Sequence, residues 1–118
     1  MAAPNIVNVT AIYGKTAGLA VTTSATAIVS NAAGSNKVLK VNALYCSNVS
    51  ASNGWVTVDV FKNATTAFDI AYQITVPTNA TLDVLSQSIY LEENDSIRLT
   101  ANANTTIEAV VSWEDISS

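Results

Sequence analysis

Short runs of alternating apolar and polar residues make up most of the chain. In the segment WVTVDVFK, every second residue is a valine, at Val56, Val58 and Val60. A period of two is the pattern of a β-strand with one buried face. Val, Ile, Thr and Tyr recur throughout the sequence, whereas the straight-chain residues that favour helices are sparse. The pattern therefore predicts an all-β protein.

A second strand is predicted over the segment KVLKVNALYCSNV. Period-two counting places on one face of this strand Leu39, Val41, Ala43, Tyr45 and Val49. The segment SASNG separates it from WVTVDVFK, and its Asn53 and Gly54 can adopt the positive φ that tight turns require. We therefore expect these two strands to form a hairpin.

Seven further segments have strand character. They are IVNVTAIY, GLAVT and TAIVS upstream, with breaks at Gly14, Gly18 and the NAAGSN loop, and TAFDIAYQITV, ATLDVLSQSIYL, DSIRLTA and TIEAVVSWEDI downstream. Strands at spacings of about 8 to 12 residues are typical of a β-sandwich or barrel. We predict a single-domain antiparallel β-sandwich of about eight strands over residues 1–118, jelly-roll or immunoglobulin-like, with residues 1–10 as an extended arm.

The expected core follows from the apolar positions of these strands. It comprises Val41, Leu44, Val56, Val58, Val60, Ile70, Ile74, Leu82, Val84, Ile89, Leu91, Ile97, Leu99, Ile107, Ala109, Val111 and Trp113. The single cysteine, Cys46, lies in an apolar strand pattern, and we expect a buried free thiol there.

The residue types needed for common enzymatic mechanisms are scarce. The chain has no histidine, which excludes Ser-His-Asp and Cys-His arrangements and removes the commonest zinc ligand. The segment Gly14-Lys15-Thr16 lacks the upstream glycine of a phosphate-binding loop. We predict that the protein is not an enzyme and has no catalytic residue, cofactor or metal.

The acidic segment YLEENDSIRL is the strongest candidate for a site, because it places Glu92, Glu93 and Asp95 within four positions. Paired carboxylates can catalyse glycoside hydrolysis or bind calcium, but this segment lacks the glycine of a calcium loop. Alternation on both sides favours a hairpin turn, in which Asn94 adopts the left-handed conformation and Asp95 accepts a backbone N–H. We therefore interpret the cluster as structural.

Charge and composition limit the partners. The formal net charge is -4, and the five basic residues do not cluster, so nucleic acid is not an expected partner. The apolar runs are too short to cross a membrane, and no basic residue precedes the first of them, as a secretory signal requires. The surface is mainly neutral and polar, which suits close packing in an assembly. Few charges or prolines protect the strand edges, and this suggests that a neighbouring subunit covers one of them.

Trp55 is the first candidate for a ligand or partner contact, since it follows the Asn53-Gly54 turn and is expected to be exposed. Trp113 lies on the apolar face of its strand and is expected in the core. Trp55 and the scattered tyrosines leave open a second hypothesis, a carbohydrate-binding or adhesion module.

Four segments resemble small virion structural proteins of tailed phages that infect cyanobacteria. They are MAAPNIVNVTAIYGKTA, NAAGSNKVLKVNALYCSNV followed by VTVDVF, ITVPTNATLDVL, and IYLEENDSIRLTA followed by EAVVSWEDIS. Asn94 stands where such proteins often have glycine in a LEEGD turn.

The resemblance implies a non-enzymatic capsid decoration, or cement, protein on the virion surface. Such a protein is made in the host cytoplasm, binds across major capsid protein subunits as a homo-oligomer, with a trimer favoured, and stabilises the shell. A neck, tail or fibre component is an open alternative, since it would have the same composition and fold.

Overall fold

The computed structural model describes residues 9–117, which form nine β-strands and no helix. The strands are β1 (Ala11–Ala20), β2 (Thr26–Ser30), β3 (Lys37–Asn48), β4 (Gly54–Lys62), β5 (Thr66–Val76), β6 (Thr81–Asp83), β7 (Ile89–Leu91), β8 (Ser96–Ala101) and β9 (Ile107–Ser117). The predicted all-β sandwich is confirmed. The arm expected over residues 1–10 falls largely on residues outside the described part.

Two antiparallel sheets pack face to face. Sheet A has the order β1-β9-β3-β6, with β7 also paired to β3, and sheet B has the order β2-β8-β4-β5. The chain crosses from one sheet to the other after β1, β2, β3, β5, β7 and β8. This order is that of a jelly roll, so the structure decides between the two predicted topologies.

The hairpin expected between β3 and β4 is wrong. β3 lies in sheet A and β4 in sheet B, so the SASNG segment connects the sheets instead of closing a hairpin. Neither Asn53 nor Gly54 has a positive φ. Period-two patterns identify strands but do not tell which strands pair, and a jelly roll separates neighbours in sequence.

A β-bulge changes the buried face of β3. Val41 pairs with Trp113 and Ala43 pairs with Ser112, so that Asn42 is skipped in the backbone register with β9. Counting every second residue through a bulge assigns all later side chains to the wrong face. The core residues of β3 are consequently Leu39, Val41, Leu44 and Cys46. Tyr45 and Val49, which period-two counting places on the face of Leu39 and Val41, are exposed.

Ten of the predicted core residues are buried in the interface between the sheets, namely Val41, Leu44, Val56, Val58, Leu91, Ile97, Leu99, Ile107, Ala109 and Val111. Five pack against this core with partial burial, namely Val60, Leu82, Val84, Ile89 and Trp113. The prediction that Ile70 and Ile74 are core residues is wrong, since they are 39% and 41% exposed. The reason is that β5 is an edge strand with two irregularities in its pairing to β4.

Two predicted strand boundaries also differ from the structure. β1 runs without interruption through Gly14 and Gly18, because continuous pairing with β9 outweighs their low strand preference. The segment ATLDVLSQSIYL forms two three-residue strands, β6 and β7, separated by residues 84–88. Sheet A is therefore interrupted at this edge.

Candidate functional site

Asp95 anchors the acidic turn that joins β7 to β8. Its carboxylate accepts hydrogen bonds from Lys62 Nζ at 2.6 Å, from the Asn63 backbone N–H at 2.9 Å and from the Glu92 backbone N–H at 3.0 Å. The side chain is 2% exposed. Both carboxylate oxygens are thus occupied by donors of the protein itself.

The surroundings of Asp95 and Lys62 determine the charge state of both side chains. Burial raises the pKa of Asp95, but the bonds donated by Lys62, Asn63 and Glu92 outweigh burial, and the pKa lies below its ordinary value. The bond to Asp95 raises the pKa of Lys62, against a smaller opposing effect of desolvation. An ionised pair of this kind is suited to holding a fold and not to proton transfer at neutral pH.

The same turn contacts the loop between β2 and β3. Glu93 Oε2 accepts the Asn36 backbone N–H at 2.5 Å, and the Asn94 backbone N–H donates to Asn31 O at 2.8 Å. Asn94 has φ = 72°, as expected from the sequence. The expected hairpin is wrong, because β7 and β8 belong to different sheets. The acidic segment is instead a structural turn that ties the sheets together.

The second acidic pair, Glu114 and Asp115, is divided between the two faces of β9. Asp115 is 5% exposed, and its Oδ2 lies 3.0 Å from Lys15 Nζ and 3.2 Å from Lys37 Nζ. Burial raises its pKa, but the two ammonium groups more than offset this effect and lower it. Asp115 Oδ1 has no hydrogen-bond partner. Within residues 9–117, no group of three His, Cys, Asp or Glu residues is arranged to hold a metal ion.

Cys46 is fully buried in the core, as predicted. Burial raises the pKa of the thiol to about 12. A neutral, inaccessible thiol is a poor nucleophile and a poor disulfide partner.

The two tryptophans occupy different positions. Trp113 lines a cleft of about 290 Å³ between β1 and β2, beside Lys15 and Asp115. Trp55 lies at the start of β4, opposite Thr75, and is half-buried. Its role as a ligand or partner contact stays a prediction.

Edge strand β5 carries an exposed apolar surface, which includes Ile70 and Ile74, two residues that the sequence pattern assigned to the core. Phe68 is 60% exposed and Tyr72 is 65% exposed, and Ile70 and Ile74 on the same strand are also exposed. Ile70 also borders a cleft of about 500 Å³ whose other wall is the segment between β6 and β7. We call Phe68, Ile70, Tyr72 and Ile74 the β5 surface. Exposed apolar side chains along a strand edge without a partner strand are a feature of interaction sites.

The opposite side of the sandwich has a second long edge, β1. Its ten residues pair with β9 in an uninterrupted register, and among the described residues no strand pairs with its other side. β1 contains no proline and one charged residue, Lys15. It therefore lacks the bulges and prolines that ordinarily protect an edge.

Comparison with known proteins supports the fold only. No family model and no curated protein matches the chain. A solved structure that does match is described as "Bacillus endospore appendages form a novel family of disulfide-linked pili". It is 13% identical, covers 100% of this chain and 98% of its own, and has a TM-score of 0.56. No helix among the described residues is long and apolar enough to span a membrane.

Proposed function

We propose that this chain is a non-enzymatic structural subunit that acts by assembling with other protein subunits. The observation that carries the proposal is the β5 surface, where Phe68 and Tyr72 expose most of their side chains along a strand edge. Burial of apolar area stabilises by about 25 cal/mol per Å². An aromatic side chain buries roughly 150–250 Å² when fully enclosed, so a partner strand covering this surface would gain several kcal/mol before the cost of association.

The acidic groups support the same conclusion. Asp95 and Asp115 are held by lysines, and Asp59 accepts two hydrogen bonds from Arg98, at 2.9 and 3.3 Å. Carboxylates that are paired in this way stabilise the fold, and among the described residues the cleft beside Asp115 is lined by no second carboxylate. The proposal therefore includes the expectation that the chain is not an enzyme.

The more specific proposal is a capsid decoration protein that binds across major capsid protein subunits on the virion surface. The resemblance described above motivates it, and the exposed β5 surface supplies a place for a contact between neighbouring subunits on the shell. Each additional contact on a repeating shell is effectively intramolecular once the first has formed, so weak edge contacts add to a stable attachment.

The similarity to an endospore appendage protein supports an assembly role at the level of the fold, since that protein is described as forming pili. Its disulfide linkage is not proposed for this chain. The 118 residues contain one cysteine, Cys46, and that thiol is fully buried. We propose assembly by noncovalent strand and side-chain contacts.

Copy number tests the position on the particle. Quantitative mass spectrometry of purified virions, with the major capsid protein as the internal standard, should give hundreds of copies in a fixed ratio to that protein. A dozen copies or fewer would contradict the decoration role and favour the neck, tail or fibre alternative. Absence from the particles would overturn the virion assignment.

A further inference from the structure

We propose that copies of this chain associate head to tail, with the β1 edge of one copy pairing with the β5 edge of the next. The proposal rests on the assembly role proposed above and names its partner, a second copy of the chain. β1 and β5 are the two longest edge strands, with ten and eleven residues. They lie at opposite sides of the sandwich, because β1 ends sheet A beside β2 and β5 ends sheet B beside the β6 and β7 segment.

Charge selects this pairing over the symmetric alternatives. Lys15 is the one charged residue of β1, and Asp69 is the one charged residue of β5. Pairing β1 with β1, or β5 with β5, would bring like charges to the same interface. Pairing β1 with β5 brings opposite charges together, and cross-strand pairs of opposite charge are favourable.

Neither charge is fully neutralised within its own subunit. Lys15 and Lys37 share the single carboxylate of Asp115, so that cluster keeps a net charge of about +1 at neutral pH. Asp69 pairs in register with Asp59, whose carboxylate is bound by Arg98, and Asp69 itself has no ion-pair partner among the described residues. This second cluster keeps a net charge of about −1.

The two side chains also lie on compatible faces. Lys15 is opposite Trp113 on the inner face of sheet A, and Asp69 is opposite Asp59 on the outer face of sheet B. In the proposed contact, sheet A of one copy continues into sheet B of a second copy that has the same orientation. The inner face of sheet A and the outer face of sheet B then lie on the same side of the joined sheet. β1 and β2 are joined across the two sheets by the short connection 21–25 and run in opposite directions. Antiparallel pairing through β8 and β4 then gives β5 the direction of β1, so the new pair would be parallel.

The backbone of β1 offers free groups for the pairing. Val21 N–H donates to Ile107 O at 2.9 Å, which continues the register that pairs Ala20 with Glu108. N–H groups alternate in direction along an antiparallel ladder. Those of Ala20, Gly18 and Thr16 therefore point away from β9, toward the position of an added strand.

A head-to-tail contact leaves one free edge at each end of any open assembly. Such contacts close into rings when the rotation between copies permits and otherwise extend as filaments. A closed ring of three would satisfy the trimer favoured above, and the mass of the assembly distinguishes these forms.

Complementation between two edge variants tests the inference. Thr16→Pro removes an outward N–H of β1, a change that edge strands tolerate, and Thr16→Val is the matched control that keeps the N–H. Phe68→Ser combined with Asp69→Lys disables β5, and Asp83→Lys on β6 is the control for the charge change. Multi-angle light scattering and analytical ultracentrifugation measure the masses, and thermal unfolding checks that each variant is folded.

The unmodified protein and both controls should form oligomers. Each edge variant should raise the dissociation constant at least about tenfold, and an equimolar mixture of the two edge variants should give one-to-one dimers through the intact β5 of one and the intact β1 of the other. Symmetric β1 pairing predicts no such dimer. An unmodified protein that is monomeric at all concentrations, or a mixture that forms no dimer, would overturn the inference while leaving the copy-number result intact.

Discussion

Lys62 Nζ lies 2.6 Å from Asp95 Oδ2, and this contact joins the end of β4 to the turn between β7 and β8. The carboxylate is buried, while the lysine side chain is 41% exposed. The acidic cluster that is most conspicuous in the sequence is therefore part of the internal framework of the sandwich.

Replacing Asp95 should destabilise the protein more than replacing its neighbour. In Asp95→Asn the buried side chain loses its charge and presents an amide N–H₂ to the donors of Lys62, Asn63 or Glu92. We expect a loss of about 2–4 kcal/mol in the free energy of unfolding. Glu92→Gln is the control, because Glu92 is 65% exposed, and should cost less than about 1 kcal/mol. Urea unfolding measures both, and equal effects would contradict the assigned role of Asp95.

Stability should fall at acid pH because Asp95 and Asp115 have lowered pKa values in the folded protein. A carboxyl group with a folded pKa below its unfolded value of about 3.9 stabilises the protein above that pH. The contribution is lost as the pH falls through the folded pKa. Urea unfolding between pH 7 and pH 2 should show this loss below about pH 4, and Asp115→Asn should make the acid limb shallower. An unchanged acid limb in that variant would contradict the ion pairs.

Gly54 and Gly14 should respond differently to alanine. A Cβ on Gly54 would lie 2.7 Å from Asn102 Oδ1 and 2.7 Å from Thr106 Cγ2, whereas a Cβ on Gly14 meets nothing within 4 Å. Asn102 Oδ1 also accepts the Trp55 backbone N–H, so moving it breaks a bond. We expect Gly54→Ala to cost about 1–3 kcal/mol and Gly14→Ala to cost nothing or to stabilise slightly. Differential scanning calorimetry compares them, and a harmless Gly54→Ala would contradict this packing.

Asn94→Gly should be tolerated, because φ at this position is 72° and glycine adopts it without strain. The substitution loses a 3.3 Å hydrogen bond from Asn94 Nδ2 to Asn63 Oδ1, and we expect a net change within about 0.5 kcal/mol. Asn94→Val should cost more than about 1 kcal/mol, since β-branched residues disfavour this conformation. Similar melting temperatures for the two variants would contradict the left-handed turn.

The sequence pattern predicts the strands well and their pairing poorly. Alternation over WVTVDVFK locates β4 and its buried valines, because that strand is central in its sheet and packs on one side. Nothing local in SASNG shows that the chain crosses between sheets, and nothing in KVLKVNALYCSNV shows the bulge at Asn42. Both depend on contacts between distant parts of the chain.

The β5 surface could not be predicted from the sequence for a related reason. TAFDIAYQITV has the composition of a core strand, and position in the sheet decides whether its side chains are covered. Because β5 is an edge strand, the predicted core residues Ile70 and Ile74 are exposed, together with Phe68 and Tyr72. The sequence predicts the apolar residues, and the topology determines that they form a surface.

The central claim is that the β5 surface makes the assembly contact, and particle binding tests it most directly. The assay is co-sedimentation of purified protein with particles assembled without the chain. It compares the double variant Phe68→Ser/Tyr72→Ser with the control Val110→Ser, which changes an apolar residue that is 46% exposed on sheet A. We predict that the control binds like the unmodified protein and that the double variant binds at least about tenfold more weakly. Thermal unfolding checks that the double variant is folded. Undiminished binding of the double variant would contradict the claim.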